Sequence, residues 1–339
     1  MDIIPFLNIP QSHSDSISSL AFSNYNFGNE NILLASASND KTVNIYNISK
    51  TDKAVSLVFS YKYHLMGINK VTFNNKNTLL LSGGNDFQLN VIDLNSLSLL
   101  RNFRTNSVIT SIDINYASNI IAVGTYDNSI LLFDLRSRNL IVKMISHSEP
   151  ITCVKFSNDS TVVFSTSYDS FCRIWDIFKF NCLKTINLEN SPSLNSINLL
   201  PNENYILLSA FNNNLEIMDI VKEEEIKKFT GCSHKNYLID TCLYKNSKND
   251  KFYILSGDEE GNFCSWDVKD KNSNCKKVRI CNKEEEHNNL ISNTMDVYND
   301  YDNSNNSLIA CSVYNESCHS IYLFFEENNL NEDIEMKNN

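Results

Sequence analysis

Glycine and proline are scarce in this 339-residue chain, at eight and five, and tryptophan occurs twice. Nowhere do about 18 apolar residues follow one another, which excludes a membrane-spanning helix. The few glycines form no glycine-rich cradle for a phosphate. Basic residues are also short, 29 Lys and Arg against 40 Asp and Glu, a net charge of −11. Such a surface repels phosphate backbones and acidic lipid, so neither nucleic acid nor membrane is expected as a direct partner, and a basic peptide suits it better. None of the ten cysteines falls in a CxxC pair. Several sit in apolar strand-like runs and read as reduced, small core residues. Cys275, Cys281 and His287 are spaced by six, unlike a zinc ribbon or finger, so no metal and no cofactor is expected. The opening MDIIPFLNIPQSH has an acidic second residue and only a short apolar run, predicting a soluble chain without a secretory leader.

What the chain does have is repetition. With 42% hydrophobic and 20% charged residues it is globular in composition, and it is longer than one usual compact domain. One unit recurs, clearest as HSEPITCVKF (147 to 156) followed by TVVFSTSYDSFCRIWD (161 to 176). Closing residues Asn47, Asp93, Asp134, Asp176, Asp219 and Asp267 are separated by 46, 41, 42, 43 and 48 positions. Seven positions before each stands Asp40, Asp86, Asp127, Asp169, Asn212 or Glu260, and a histidine column keeps the same phase at His13, His64, His147, His234 and His287. Seven starts are counted, near 13, 64, 105, 147, 190, 234 and 287, the last unit carrying an Asn-rich insertion at 300 to 307. A period of about 40 to 45 residues, built from short period-two runs cut by polar turns, marks the blades of a propeller. The expected fold is therefore all-β, a seven-bladed β-propeller. Residues 3 to 9 (IIPFLNI) are assigned to the outer edge of the seventh blade, because an open last sheet would leave an unpaired edge. Residues 1–325 are taken as the propeller and 326–339 as a disordered acidic tail.

These motifs resemble the WD-repeat family over nearly the whole chain. SYDSFCRIWD with the following NCLKTI (181 to 186) closely resembles the scaffold subunits of COMPASS- or MLL-type histone lysine methyltransferases. The resemblance implies a non-enzymatic scaffold that holds short peptide motifs of methyltransferase subunits, or histone tails, in its channel and another subunit in a side groove. It implies a monomeric propeller within a hetero-complex, resident in the nucleus and also in the cytoplasm. A generic adaptor, in a spliceosomal particle or as a ubiquitin-ligase substrate receptor, is the alternative.

His147, Asp169 and a serine, Ser165 or Ser167, beside Trp175 have the residue types of a catalytic triad. Their recurrence in phase argues instead for a structural network inside each blade, since a catalytic set should occur once. A second column, four before the end of each first strand, should line the channel: Ser18, Asn69, Thr110, Thr152 and Asn195, then Leu238 or Ile239, and Ser292 or Asn293. By the resemblance, Tyr126, Pro150 and Tyr168 match the channel mouth. Thr110 and Asp240 replace two phenylalanines that sandwich an arginine, forfeiting about 1 to 2 kcal/mol. Asn69 and Asn85 replace a serine and an aspartate, and Asp240 is placed to pair with a guanidinium. In the side groove Asn202, Tyr205, Ile217 and Lys227 keep the character of partner-contacting positions.

Overall fold

A sheet can bury both faces only if another sheet lies on each side, and the central strands make that demand. Leu79–Gly84 and Gln88–Asp93 are buried almost throughout, whereas the neighbouring outer strand Ser98–Arg104 is mostly exposed. The computed structural model describes residues 3–326 apart from 25–30, 50–51, 53, 189–192, 203, 212–213, 234–236, 238, 247–250, 271–274, 281–290, 300–306 and 315–318. Among the described residues, 28 strands form seven four-stranded antiparallel sheets, the blades. Blades 1 to 6 each run in chain order from the channel outward. They begin with Ile17–Phe22, Ile68–Phe73, Ile109–Ile114, Ile151–Phe156, Leu194–Leu199 and Thr241–Asn246.

Blade 7 is composite. Ile291–Tyr298, Leu308–Tyr314 and His319–Glu326 are completed by Ile3–Ile9, which pairs with His319–Glu326 from Ile3 opposite Glu326 to Ile9 opposite Ile321. The closure expected from IIPFLNI is thus present. Seven apolar clusters, one for each pair of neighbouring blades, hold the ring. Between blades 7 and 1, for example, Leu308, Ile321 and Leu323 pack with Ile17, Leu20 and Ile32. No interface is skipped, so the core is a cycle of lamellae between sheets.

The shortage of glycine is met by strain in the turns. Among the described residues, twelve non-glycine residues have positive φ, including Lys41, Phe87, Asn128 and Ser170, each directly after the phased aspartate of its blade. Such residues cost about 1–2 kcal/mol each relative to glycine's freedom. The expectation of reduced cysteines is corrected at one place: Cys232 and Cys264 are joined as a disulfide, because the connector before blade 6 folds back onto that blade's third strand. The last strand runs through Glu326. His234, His287, Asn212, Leu238, Cys281, most of the 300 to 307 insertion and the tail from 327 lie outside the described residues.

Candidate functional site

In blade 4 the second strand, Val162–Ser167, and third strand, Phe171–Asp176, bring Ser165 and Trp175 side by side, and the connector brings His147 over them. Trp175 Nε1–H donates to Ser165 Oγ at 2.9 Å, Ser165 meets His147 Nε2 at 2.7 Å, and His147 Nδ1 meets the Asp169 carboxylate at 3.0 Å. A carboxylate only accepts, so Nδ1 carries the proton and Nε2 takes the serine hydroxyl. Burial pushes His147 down, keeping it neutral, against the pull of Asp169. Burial would raise the Asp169 carboxyl, but His147 and the N–H groups of Ser148 and Phe171 outweigh it and hold it low. The serine is therefore Ser165; Ser167 donates instead to the Glu149 carbonyl. Ser165 and His147 are buried, so no substrate reaches them, and the set fixes the blade.

The network recurs as His13, Asp40 and Ser36 in blade 1 and His64, Asp86 and Ser82 in blade 2. In blade 3, Thr105 stands in the histidine column, and Asp127 takes Thr125 at 2.5 Å and Lys143 at 2.6 Å. Blade 6 departs from expectation. Glu260 keeps the backbone place of the column, followed by Gly261 at φ 73°, but its side chain is mostly exposed. The buried acid is Asp258, which accepts the Glu260 and Asn262 N–H groups at 3.0 and 2.7 Å.

Nine of the ten expected channel residues share one cavity of about 350 Å³: Ser18, Asn69, Asn85, Thr110, Tyr126, Thr152, Tyr168, Asn195 and Asp240. Pro150 stands just behind it, its carbonyl accepting the Tyr168 N–H. Asn293, not Ser292, completes the ring, and in blade 6 the lining residue is Asp240 rather than Ile239, which is buried and gives its carbonyl to Asn195. The column has a job that its residue types alone did not reveal. Ser18 donates to Ile68 O, Asn69 to Ile109 O at 2.8 Å, Asn195 to Ile239 O at 2.6 Å and Asn293 to Ile17 O at 3.4 Å. Each of these four bonds runs from one blade to the next, whereas Thr110 and Thr152 donate within their own blades, to Gly124 O and Thr166 Oγ1.

Asp240 is not free for a guanidinium. Lys70 reaches across from blade 2 and meets it at 3.0 Å. Burial opposes the Lys70 charge, but Asp240 outweighs it and lifts the ammonium to about 12. Below this pair Lys155 faces Asp113 at 3.9 Å, and Asp296, raised by burial, accepts the Phe22 N–H at 2.6 Å. The channel is thus floored by charge pairs where the resemblance has an aromatic slot. At its mouth Tyr126 is 60% exposed and Tyr168 stacks on Phe211, ring centroids 6.4 Å apart. Phe211 was missed because nothing in the repeat distinguishes it from a core aromatic.

The side-groove constellation is only partly a surface. Asn202 is exposed in its turn and Tyr205 is half-buried. Ile217 is core, in the cluster between blades 5 and 6, because its strand is the third of four and buried on both faces. Lys227, pushed down by burial, lies 4.8 Å over the Phe229 ring and donates to Val268 O and Asp270 O of the next blade. It is a bridge between blades and is already engaged.

A family model described as the nucleolar protein 10-like N-terminal domain, a β-propeller, matches residues 23–220, more than half of the chain. Among curated proteins, the chain is 22% identical over 263 residues to the WD repeat domain-containing protein 83 homolog of Dictyostelium discoideum, covering 69% of this chain and 77% of that one. It is 24% identical over 186 residues to the COMPASS component SWD3 of Saccharomyces cerevisiae, covering 50% and 58%. It is 24% identical over 227 residues to the histone acetyltransferase type B subunit 2 of Candida glabrata, covering 62% and 53%. The chain thus spans about half the length of the last two.

Proposed function

The chain belongs to the nucleolar protein 10-like N-terminal propeller family, within the WD-repeat β-propellers, and from that premise we propose that it is a protein-interaction scaffold without chemistry of its own, a nuclear subunit of a COMPASS-type histone lysine methyltransferase complex. The observation that carries the scaffold reading is how the polar groups are spent. The recurring His, Asp and Ser sets are consumed inside the blades, while Tyr126, Tyr168 and Asn85 face outward at the channel mouth. The exposed Tyr126 and the half-buried Tyr168 around an amide-lined opening suit a short peptide motif of a partner subunit or a histone tail. The Lys70–Asp240 pair bars a deeply inserted arginine, so the peptide lies across the mouth. Asn202 and Tyr205 at the edge of blade 5 are a second contact point. The likeness to a COMPASS component supports the choice of complex.

The test is affinity purification of the tagged full chain from native cells. Methyltransferase subunits are expected in stoichiometric amounts, reduced at least tenfold by Tyr126→Ala with Tyr168→Ala. Recovery of splicing or ubiquitin-ligase subunits in their place would favour the adaptor alternative, and undiminished recovery by the double variant would move the site off the mouth.

A further inference from the structure

Three cysteines that share no local motif meet in blade 6. Cys232 lies in the connector after Glu225–Phe229, Cys264 in the third strand Asn262–Asp267, and Cys275 just before the outer strand Lys276–Arg279. Their Sγ atoms all lie within 4.8 Å of one another. Cys232 and Cys264 are buried, joined as a disulfide, while Cys275 is half-buried and opens the cluster to solvent. The backbone is shaped around the third sulfur: Gly231 has φ 116°, and a Cβ there would stand 2.7 Å from Cys275 Cβ. The buried Asp258 carboxylate is 3.9 Å from Cys264 Sγ, with Lys277 Nζ at 3.5 Å from it.

We propose that the reduced form of this cluster is a zinc site, with the thiolates of Cys232, Cys264 and Cys275 as ligands, and that the Cys232–Cys264 disulfide is its oxidised, metal-free alternative. Zinc–sulfur bonds of about 2.3 Å set tetrahedral edges near 3.8 Å, within reach of the observed cluster after a small parting of the bonded pair. Asp258, 3.9 Å from Cys264 Sγ, lies outside the group of three sulfurs and is spent on the Glu260 and Asn262 N–H groups, so the fourth position is left to solvent beside Cys275. A disulfide needs two of the three sulfurs; a metal site uses all three. The chemistry balances: a phosphine gives two electrons to the disulfide and leaves as its oxide with the oxygen of a water, whose two protons complete the two thiols, and Zn²⁺ then displaces three protons as the three thiols bind as thiolates.

The test uses the full chain, reduced with a phosphine, desalted without oxygen and titrated with Zn²⁺ and with Co²⁺. One equivalent should bind per chain, Co²⁺ should give a near-ultraviolet thiolate-to-cobalt band, and Cys275→Ser should lose the band and at least tenfold in affinity. Cys182→Ser, an exposed cysteine in blade 4, should change neither. Because Cys275→Ser keeps the two bonded cysteines, its oxidised melting curve checks that it folds, and Cys232→Ser gives a second reading of the band. No band in the reduced chain, or a band untouched by both substitutions, would overturn the site.

Discussion

Blades 4 and 6 carry the same sequence column and use it differently. Trp175 and Trp266 each stand one residue before the closing aspartate, and Ser165 and Ser256 each stand eleven before it. In blade 4 the indole donates to Ser165 and joins the histidine network. In blade 6 it donates to the Thr230 carbonyl at 3.0 Å, while Ser256 donates to Gly257 O. Three before the close, Arg173 reaches the Ser146 carbonyl in the connector before its blade, and Asn44 reaches Ser12 in blade 1. Cys264 holds that place in blade 6 and is fastened to its connector by a covalent bond. In blades 1, 4 and 6 this position thus ties the blade to its incoming connector by amide, ion or sulfur, whereas Leu131 in blade 3 packs in the core and Glu216 in blade 5 pairs with Lys228 of its own blade.

The contrast breaks most visibly on reduction. With a chelator present, opening the bond between Cys232 and Cys264, 32 positions apart, should cost about 3 to 4 kcal/mol by loop entropy. The loss should appear as a lower urea midpoint, unchanged in size in a background altered in blade 4. Asp169→Ala comes next. It strands His147 Nδ1–H and the Ser148 and Phe171 N–H groups, at a cost of about 1 to 3 kcal/mol that reductant does not change. Because the folded Asp169 carboxyl is lowered, its stabilisation is complete above the ordinary value of 3.8 and drains away as pH falls through the folded value. His147, also lowered, contributes fully above 6.5 and loses stability as pH falls below it. Wild-type urea midpoints should therefore drop steadily with acid, and the limb below about pH 4 should be shallower in Asp169→Ala. An identical limb would separate the carboxylate from the network. The smallest effect sharpens the comparison: Ser170 at φ 68° and Gly261 at φ 73° hold the same turn position. Ser170→Gly should add up to about 1 kcal/mol, and Gly261→Ser should remove about as much.

The propeller was legible because its signal is collective. Period-two runs and a phased acid column both follow from sheets buried on two faces, and the unpaired edge of a seventh sheet required Ile3–Ile9. Contacts between distant blades were not legible. Lys70 and Asp240 are 170 positions apart and meet only because the ring closes. Five of the column residues line the cavity as their spacing suggests, but the sixth place falls on Asp240, and the staples to the next blade depend on where a carbonyl points, which no side chain encodes. Asp258 displaced Glu260 because phase fixes a backbone position, and the longer Glu260 side chain runs out to solvent. Ile217 is core because similarity to a contact position says nothing of burial, and Lys227, half-buried, is spent on carbonyls of the next blade.

The composite seventh blade sets a timetable. Ile3–Ile9 leaves the ribosome with its partner strand, His319–Glu326, still more than 300 residues from being made. At about 5–20 residues per second that is a wait of about 15 to 60 s. Blades 1 to 6 can assemble in order meanwhile, each covering the face of the one before. The early strand and the leading face of blade 1 have no such cover, so the nascent chain carries an open sheet edge and an apolar flank for most of its synthesis. A cell that elongates this chain slowly, or truncates it before residue 319, will release that exposed end to aggregation or to chaperones.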